Sequence, residues 1–253
     1  MATKKVKEET RKVLKDIFGY DEFRPMQEDI ICNLIDGKDA FVLMPTGGGK
    51  SICYQIPAIM RDGTGIVVSP LISLMKDQVD KASKLGLKAA YINSSLNQEE
   101  RIRRYKALSK GSYELLYVTP ERFRKEEFRQ AVSKNTIALL AIDEAHCISE
   151  WGHDFRPDYT RIAEFREFLG SPTTIAMTAT ATPEVQKDIL VNLDLSSSEV
   201  KIFNSGIERP NLDLGVELVH GLEDKVESFL KKDFKGPGIV YLSLIKTLEA
   251  FSE

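Results

Sequence analysis

The run Met44-Pro45-Thr46-Gly47-Gly48-Gly49-Lys50-Ser51 constrains this chain more than any other stretch. Before it stands Ala40-Phe41-Val42-Leu43, an apolar run that reads as a short buried strand. After it, Ile52-Cys53-Tyr54-Gln55-Ile56 carries helical spacing. Strand, glycine-rich turn, Lys-Ser and helix form the layout of a phosphate-binding loop. The glycines let several N–H groups point into one concavity, and the helix start adds positive dipole there. Lys50 is placed to set a cation on the β- and γ-phosphates, and the Ser51 hydroxyl to ligate Mg²⁺. Thr46, Gly47, Gly48 and Gly49 form the rest of the cradle. The general pattern has glycine where this chain has Met44.

Such a loop needs a sheet behind it, and the pattern supplies one. Apolar runs at Ala40–Met44, Gly65–Ser69, Ala89–Ile92, Leu115–Val118, Ile137–Ile142, Thr174–Met177 and Val200–Phe203 read as strands. Helical spacing fills most gaps, at Ser51–Met60, Leu71–Leu85, Gln98–Leu108, Phe123–Ser133, Tyr159–Leu169 and Glu184–Leu193. Upstream, Lys4–Phe18 reads as an amphipathic helix ended by Gly19, and a second helix starts near Pro25. Repeated βα units with hydrophobic strands predict an α/β fold, its mainly parallel sheet covered by helices on both faces. Ligands of such sheets bind at the carboxyl ends of the strands.

A second pair of chemical groups falls there. Leu139-Leu140-Ala141-Ile142 runs into Asp143-Glu144-Ala145-His146. A buried strand ending in two carboxylates, in a chain with a phosphate loop, is how an NTPase holds Mg²⁺: Asp143 on the ion, Glu144 orienting the attacking water. His146 reads either as a link from those carboxylates to the next loop or as a satisfied core histidine. Trp151 is the one tryptophan, and with His153, Phe155 and Arg156 it places stacking faces and a cation on one short loop. An aromatic plug over the core is the alternative. Ser69-Pro70 and Thr119-Pro120 end strands, where small hydroxyls and free N–H groups hold phosphates without much charge. Lys76 adds a local cation. Arg101, Arg103, Arg104 and Lys106 read as a nucleic-acid patch or, more simply, a solvated helix face. Thr178 and Thr180 read as couplers or strand-end caps.

Charge sharpens this. The net charge is −3, so a bulk basic footprint for nucleic acid is absent and any such site is a local stripe. No apolar run is long enough to span a bilayer, which predicts no membrane association. Cys32, Cys53 and Cys147 form no metal-type pair, which points to a reducing, intracellular compartment and against zinc.

The motifs together resemble superfamily 2 helicases, in which the loop takes the form Thr-Gly-x-Gly-Lys-Ser. The run Cys147-Ile148-Ser149-Glu150-Trp151-Gly152-His153-Asp154-Phe155-Arg156-Pro157-Asp158-Tyr159 is similar to the aromatic-rich loop of RecQ DNA helicases. Phe18-Gly19-Tyr20 with Phe23-Arg24-Pro25-Met26-Gln27 looks like that family's adenine-reading motif, with Gln27 offering its amide to the adenine edge and Arg24 and Tyr20 completing the pocket. Residues 69–79 look like motif Ia, 117–122 like motif Ib and 177–181 like motif III. The resemblance covers roughly residues 10 to 211. It implies a RecA-like P-loop NTPase lobe over 1–208, with 209–253 as the start of a second, incomplete lobe. It also implies ATP and Mg²⁺ as cofactors, DNA as partner, and 3′→5′ unwinding in repair or recombination, in the cytoplasm or nucleoid of a prokaryote or the nucleus of a eukaryote. Motif 0, I, Ia, Ib, II, the aromatic loop and III are present. The arginine finger of the second lobe is not, so this chain alone is expected to be nearly inactive. A nucleotide- and DNA-binding module without motor activity, and an RNA helicase of the DEAH type, are the alternatives.

Overall fold

The computed structural model describes residues 4–152, 154–195 and 200–206, with isolated positions from 212 onward. The chain divides into two compact units, residues 1–207 and 208–253. In the tail, apolar runs at 212–219 and 238–242 suggest strands and 222–230 a helix; isolated positions apart, these lie outside the described residues.

The first unit is built on seven parallel strands: β1 (Ala40–Leu43), β2 (Thr64–Val68), β3 (Ala89–Ile92), β4 (Leu115–Val118), β5 (Ile137–Ile142), β6 (Thr174–Thr178) and β7 (Lys201–Asn204). Their order is β3-β4-β2-β5-β6-β1-β7, every pairing parallel. Alternation decides which helix covers which face. From β1, Ala40 and Val42 pack with Cys53 and Tyr54 of α3 (Lys50–Met60) and Met75 and Val79 of α4 (Ile72–Lys84). Phe41 and Leu43 face the other way. They join Leu108 of α5 (Gln98–Leu108), Phe128 of α6 (Glu126–Val132), Phe165 of α7 (Ile162–Phe168) and Ile189 of α8 (Pro183–Asn192). A smaller cluster of Leu14, Ile31 and Ile56 docks α1 (Lys4–Phe18) and α2 (Gln27–Ile35) onto α3. Both faces of the sheet are thus covered, which is why its strands read as unbroken apolar runs.

Three helix boundaries differ from the sequence pattern. α2 starts at Gln27, because Met26 takes a left-handed conformation (φ 68°) and Pro25 stays in the turn before it. The segment expected as one helix from Phe123 is a 3₁₀ turn, Pro120–Arg124, and then α6, divided at Lys125, whose backbone is extended. Tyr159 likewise belongs to a 3₁₀ turn, Pro157–Arg161, ahead of α7. In both places a proline at the start of the turn sets a tight first coil. No described helix is long and apolar enough to cross a membrane.

Candidate nucleotide and nucleic-acid site

The phosphate loop leaves β1 and enters α3 through Gly47 and Gly49, at φ 80° and 87°. These are left-handed positions that glycine tolerates and other residues resist. Gly48 closes a turn onto the Pro45 carbonyl at 3.0 Å. A Cβ there would sit 2.6 Å from Met44 Cγ. Met44, where the general pattern has glycine, is 3% exposed and packs its side chain into the sheet core. Its N–H donates to Thr178 O at 3.0 Å, tying the start of the loop to the end of β6.

The loop's polar groups bind one another. The Lys50 ammonium donates to the Met44 carbonyl at 3.4 Å. The Arg24 guanidinium donates to the Gly47 carbonyl. Gln27 is 2% exposed. Its Oε1 accepts from Arg24 N at 2.9 Å and its Nε2 donates to Gly49 O at 3.0 Å. Its amide is therefore buried and braces the loop from behind. A Cβ on Gly49 would strike that amide nitrogen. Tyr20 is 54% exposed, open to a ligand. Thr46 lies exposed on the loop and Ser51 half-buried at the helix start.

Asp143 follows β5, and its N–H extends the sheet to Val68 O at 2.8 Å. Burial pushes its carboxyl up to about 6; the adjacent Glu144 pushes the same way, and Lys50 opposes both. Glu144 sits in the left-handed region at φ 49°, ψ 47°. That is an uncommon conformation for a non-glycine residue, and such residues cluster at functional sites. It turns the chain so that His146 comes back toward the site.

His146 Nδ1 lies 2.9 Å from Thr178 Oγ1 and 3.4 Å from Glu144 Oε2. The Thr178 hydroxyl donates to Thr180 O at 3.0 Å and accepts from Thr180 N at 3.3 Å. With its one proton committed, Thr178 accepts from histidine, which assigns the proton to Nδ1. The sequence suggested a link from His146 to the aromatic loop. Nδ1 contacts Thr178 and Glu144, and backbone also ties His146 to the loop: Ser149 N bonds to His146 O at 3.2 Å. Gly152 passes so close that a Cβ would collide with that carbonyl, a demand for glycine that spacing alone does not reveal.

Next to Gly152, Trp151 is 81% exposed, so it is a free face and not a core plug. Phe155 is half-buried. His153 lies outside the described residues. Arg156 donates through Nη1 to Pro70 O at 3.0 Å and through Nη2 to Asp154 Oδ2 at 3.0 Å. It pins the loop to the end of β2 and is not an open cation. Arg156 N also bonds to Cys147 O at 2.9 Å. His146, Cys147 and Asp154 come within 4.8 Å of one another, a metal-like trio that sequence reasoning missed. Burial pushes the Cys147 thiol up to about 12 and Asp154 is paired to Arg156, which disfavours a metal there.

Ser69 is buried and its N–H bonds to Val118 O at 3.0 Å. The Thr119 hydroxyl donates to Glu121 at 2.5 Å. The Ser69 N–H and Thr119 hydroxyl expected to be free are thus committed. Lys76 is exposed. Arg103 and Arg104 pair with Glu100 at 2.7 and 2.8 Å, and Arg104 also caps the Tyr91 ring, so this stretch is a salt-bridged helix face.

A phosphate loop, two strand-end carboxylates and an all-parallel sheet define a P-loop nucleotide-binding domain. The family model for DEAD/DEAH box helicases matches residues 24–189, and the chain belongs to that family. Within it, the RecQ resemblance holds. The chain is 44% identical over 243 residues to the ATP-dependent DNA helicase RecQ of Bacillus subtilis, covering 95% of this chain and 41% of the relative. It is 41% identical to RecQ of Haemophilus influenzae (95% and 39%) and to the ATP-dependent DNA helicase Q5 of Rattus norvegicus (91% and 26%). The chain thus spans about two-fifths or less of the length of these relatives. In fold it is similar to the DUF1998 helicase MrfA (TM-score 0.66, 17% identity, 96% of this chain and 39% of that one). It is also similar to a hypothetical ATP-dependent RNA helicase from Sulfolobus tokodaii (TM-score 0.59, 20% identity, 80% and 57%). These two structures bear on the RecA-like fold alone.

Proposed function

We propose that this chain is the ATP-binding lobe of a RecQ-type DNA helicase, a motor that couples ATP hydrolysis to 3′→5′ movement on DNA inside the cell, in repair or recombination. One observation carries the reading. Glu144 lies 3.4 Å from His146, which lies 2.9 Å from Thr178. The group that would orient water thereby joins the sheet end and, through the backbone at 146–152, a loop with Trp151 exposed. The relatives' names specify DNA, so the RNA-helicase reading is not favoured.

On this reading, nucleotide replaces contacts the protein now makes with itself. Phosphates draw Lys50 from the Met44 carbonyl and fill the N–H cradle at 47–51. The adenine edge takes Gln27's amide in exchange for Gly49 O, with Tyr20 and Arg24 alongside. Asp143 and Ser51 would hold Mg²⁺, which when bound neutralises phosphate charge. A buried carboxylate pushed up to about 6 is a group that a cation improves. Glu144 takes the proton from the attacking water, while His146, protonated on Nδ1, holds the Glu144 carboxylate in place. Trp151 and Phe155 stack on unpaired bases, and Lys76 meets a phosphate. Residues 209–253 begin the second lobe.

Calorimetry with ATP–Mg²⁺ tests the site. Lys50→Ala should lose at least tenfold in affinity, because one charge-assisted contact is worth about 1.5–3 kcal/mol; unchanged affinity overturns the assignment. A steady-state ATPase assay with and without single-stranded DNA separates a motor lobe from a passive binding module. Turnover by this 253-residue stretch on its own should be near background, since on this reading the arginine finger comes from the second lobe and is worth roughly 10³ to 10⁵ in rate.

A further inference from the structure

Three polar side chains are buried between the phosphate loop and β4. Tyr54 and Gln55 come from α3 and Tyr117 from β4, and they are 2%, 5% and 1% exposed. α3 starts at the loop and packs across β5, β2 and β4. The Tyr54 and Tyr117 hydroxyls lie 3.3 Å apart, and Gln55 Nε2 donates to the Tyr117 hydroxyl oxygen at 3.1 Å. The two rings meet edge to face, with centroids 6.4 Å apart and planes at 72°. Tyr54 also shares a hydrogen bond with the side chain of Ser51, three residues back on the same face of the helix.

The protons along this chain of groups run one way. A phenol has a single proton to donate. Burial above all, with the Asp143 carboxylate adding to it, pushes both phenols up, so both keep that proton. Gln55 already donates to Tyr117. If Tyr54 did so too, the Tyr117 proton would be left in the core without an acceptor among the described residues, a costly arrangement. Tyr117 therefore donates to Tyr54, and the Tyr54 proton goes to Ser51 Oγ.

We infer that Tyr54 is a positioning residue for Ser51: its hydroxyl, held by Tyr117 and Gln55, donates to Ser51 Oγ and leaves the other lone pair of that oxygen for a divalent cation. This rests on the reading of Ser51 as a Mg²⁺ ligand. An unattached serine hydroxyl rotates to suit whatever lies near it. One whose oxygen already accepts from a buried donor has fewer orientations to lose when a cation binds, which is how partners behind a metal ligand raise affinity. The tyrosine touches neither base nor sugar on this reading. Its contribution belongs to nucleotide binding with the metal and not to binding without it.

Calorimetry tests this by reading the ATP affinity of the 253-residue chain with Mg²⁺ and again with EDTA. The ratio of the two affinities is the contribution of the metal, and a general loss of binding cancels in it. Tyr54→Phe keeps the ring and should lower the ratio about tenfold, with the EDTA affinity within about twofold of the parent chain. Tyr117→Phe, one hydrogen bond further from the serine, should lower it about threefold. Ser51→Ala should lower it most. In the Ser51→Ala background, Tyr54→Phe should bring no further loss, because the tyrosine acts through the serine. Thermal melts without nucleotide show that each variant is folded; if Tyr54→Phe is not, Tyr117→Phe carries the same test. An unchanged ratio in Tyr54→Phe, while Ser51→Ala lowers it, overturns this inference and leaves the metal site standing. So does an equal loss with and without Mg²⁺, which marks a structural role, or a further loss in the double variant. An unchanged ratio in Ser51→Ala overturns the metal-site reading itself, and this inference with it.

Discussion

The two ends of the sheet are built on opposite plans. At the amino ends, the charged groups described here are matched. Asp39 accepts from Arg166 at 2.9 Å and from Thr174 N at 2.7 Å, and Arg166 also donates to Thr174 Oγ1 at 3.0 Å. Arg61 bonds to Leu34 O and to Thr173 Oγ1 at 2.8 and 2.7 Å. These contacts stitch β1 to β6 and α3 to α2. At the carboxyl ends, Asp143 is buried beside a second carboxylate, Lys50 rests on a carbonyl, and Glu144 holds a left-handed backbone. One end is arranged for stability. The other carries charge and strain that a ligand would relieve, and the first end supports it.

The contrast breaks if changes at the amino end fail to unfold the protein. Asp39 and Arg166 have side chains 17% and 15% exposed. Asp39→Ala should therefore lose about 4 kcal/mol, as expected when one partner of a largely buried pair is removed. Urea unfolding reads this, and ATP affinity in the folded fraction should not change. A loss below about 1 kcal/mol would show that the stitching is ornamental.

The opposite sign is expected at Asp143. Its folded carboxyl lies at about 6 against an ordinary 3.8, so the folded state binds the proton more tightly. That contribution is complete below about pH 4 and is lost as pH rises toward 6. Above pH 6 the ionised group destabilises the fold by up to about 3 kcal/mol. Asp143→Asn should then stabilise the chain at pH 8, and by less at pH 5. Thermal melts at the two pH values check it, and a destabilised variant at pH 8 would refute the sign.

A sharper case is Trp151→Ala. An 81% exposed side chain should leave stability within about 0.5 kcal/mol. It should weaken single-stranded DNA binding by about 2 kcal/mol, the value of one base stack. Equal loss in melts and in DNA titrations would mean that the residue is structural. Smallest is Gln27→Ala. It removes two hydrogen bonds behind the loop, for about 1 kcal/mol of stability, and frees Gly49. Proteolysis within 45–50 should speed up, while a loop that stays protected would show that the brace is redundant.

Much of this was legible in the residues. The seven strands, the phosphate loop and the carboxylate pair come from local chemistry, in which apolar runs, glycines and a Lys-Ser pair carry their meaning within a few positions. What the pattern missed depends on contacts between distant segments. Asp39 and Arg166 are 127 residues apart, and neither is marked by its neighbours. Nothing beside Gln27 in the sequence marks the bond from its buried amide to Gly49 O, 22 residues on. Arg156 reaches Pro70 O, 86 residues away, a partner that its own loop does not announce. The split at Lys125 had a local sign in Pro120, five residues upstream, which helical spacing outvoted.

The end of β7 has a mechanical consequence. After Asn204, Ser205 donates both its N–H and its hydroxyl to Leu43 O, at 3.0 and 3.2 Å. Leu43 is the last residue of β1, and Met44 opens the phosphate loop. The polypeptide thus leaves the first unit knotted to the root of the nucleotide cradle. Tension on the chain beyond residue 206 would arrive there through two hydrogen bonds, loaded in parallel with the β1–β7 ladder. A pull would load that ladder and the residue from which the phosphate loop springs, so the exit strand is attached as a tendon is, at the base of the part it would move.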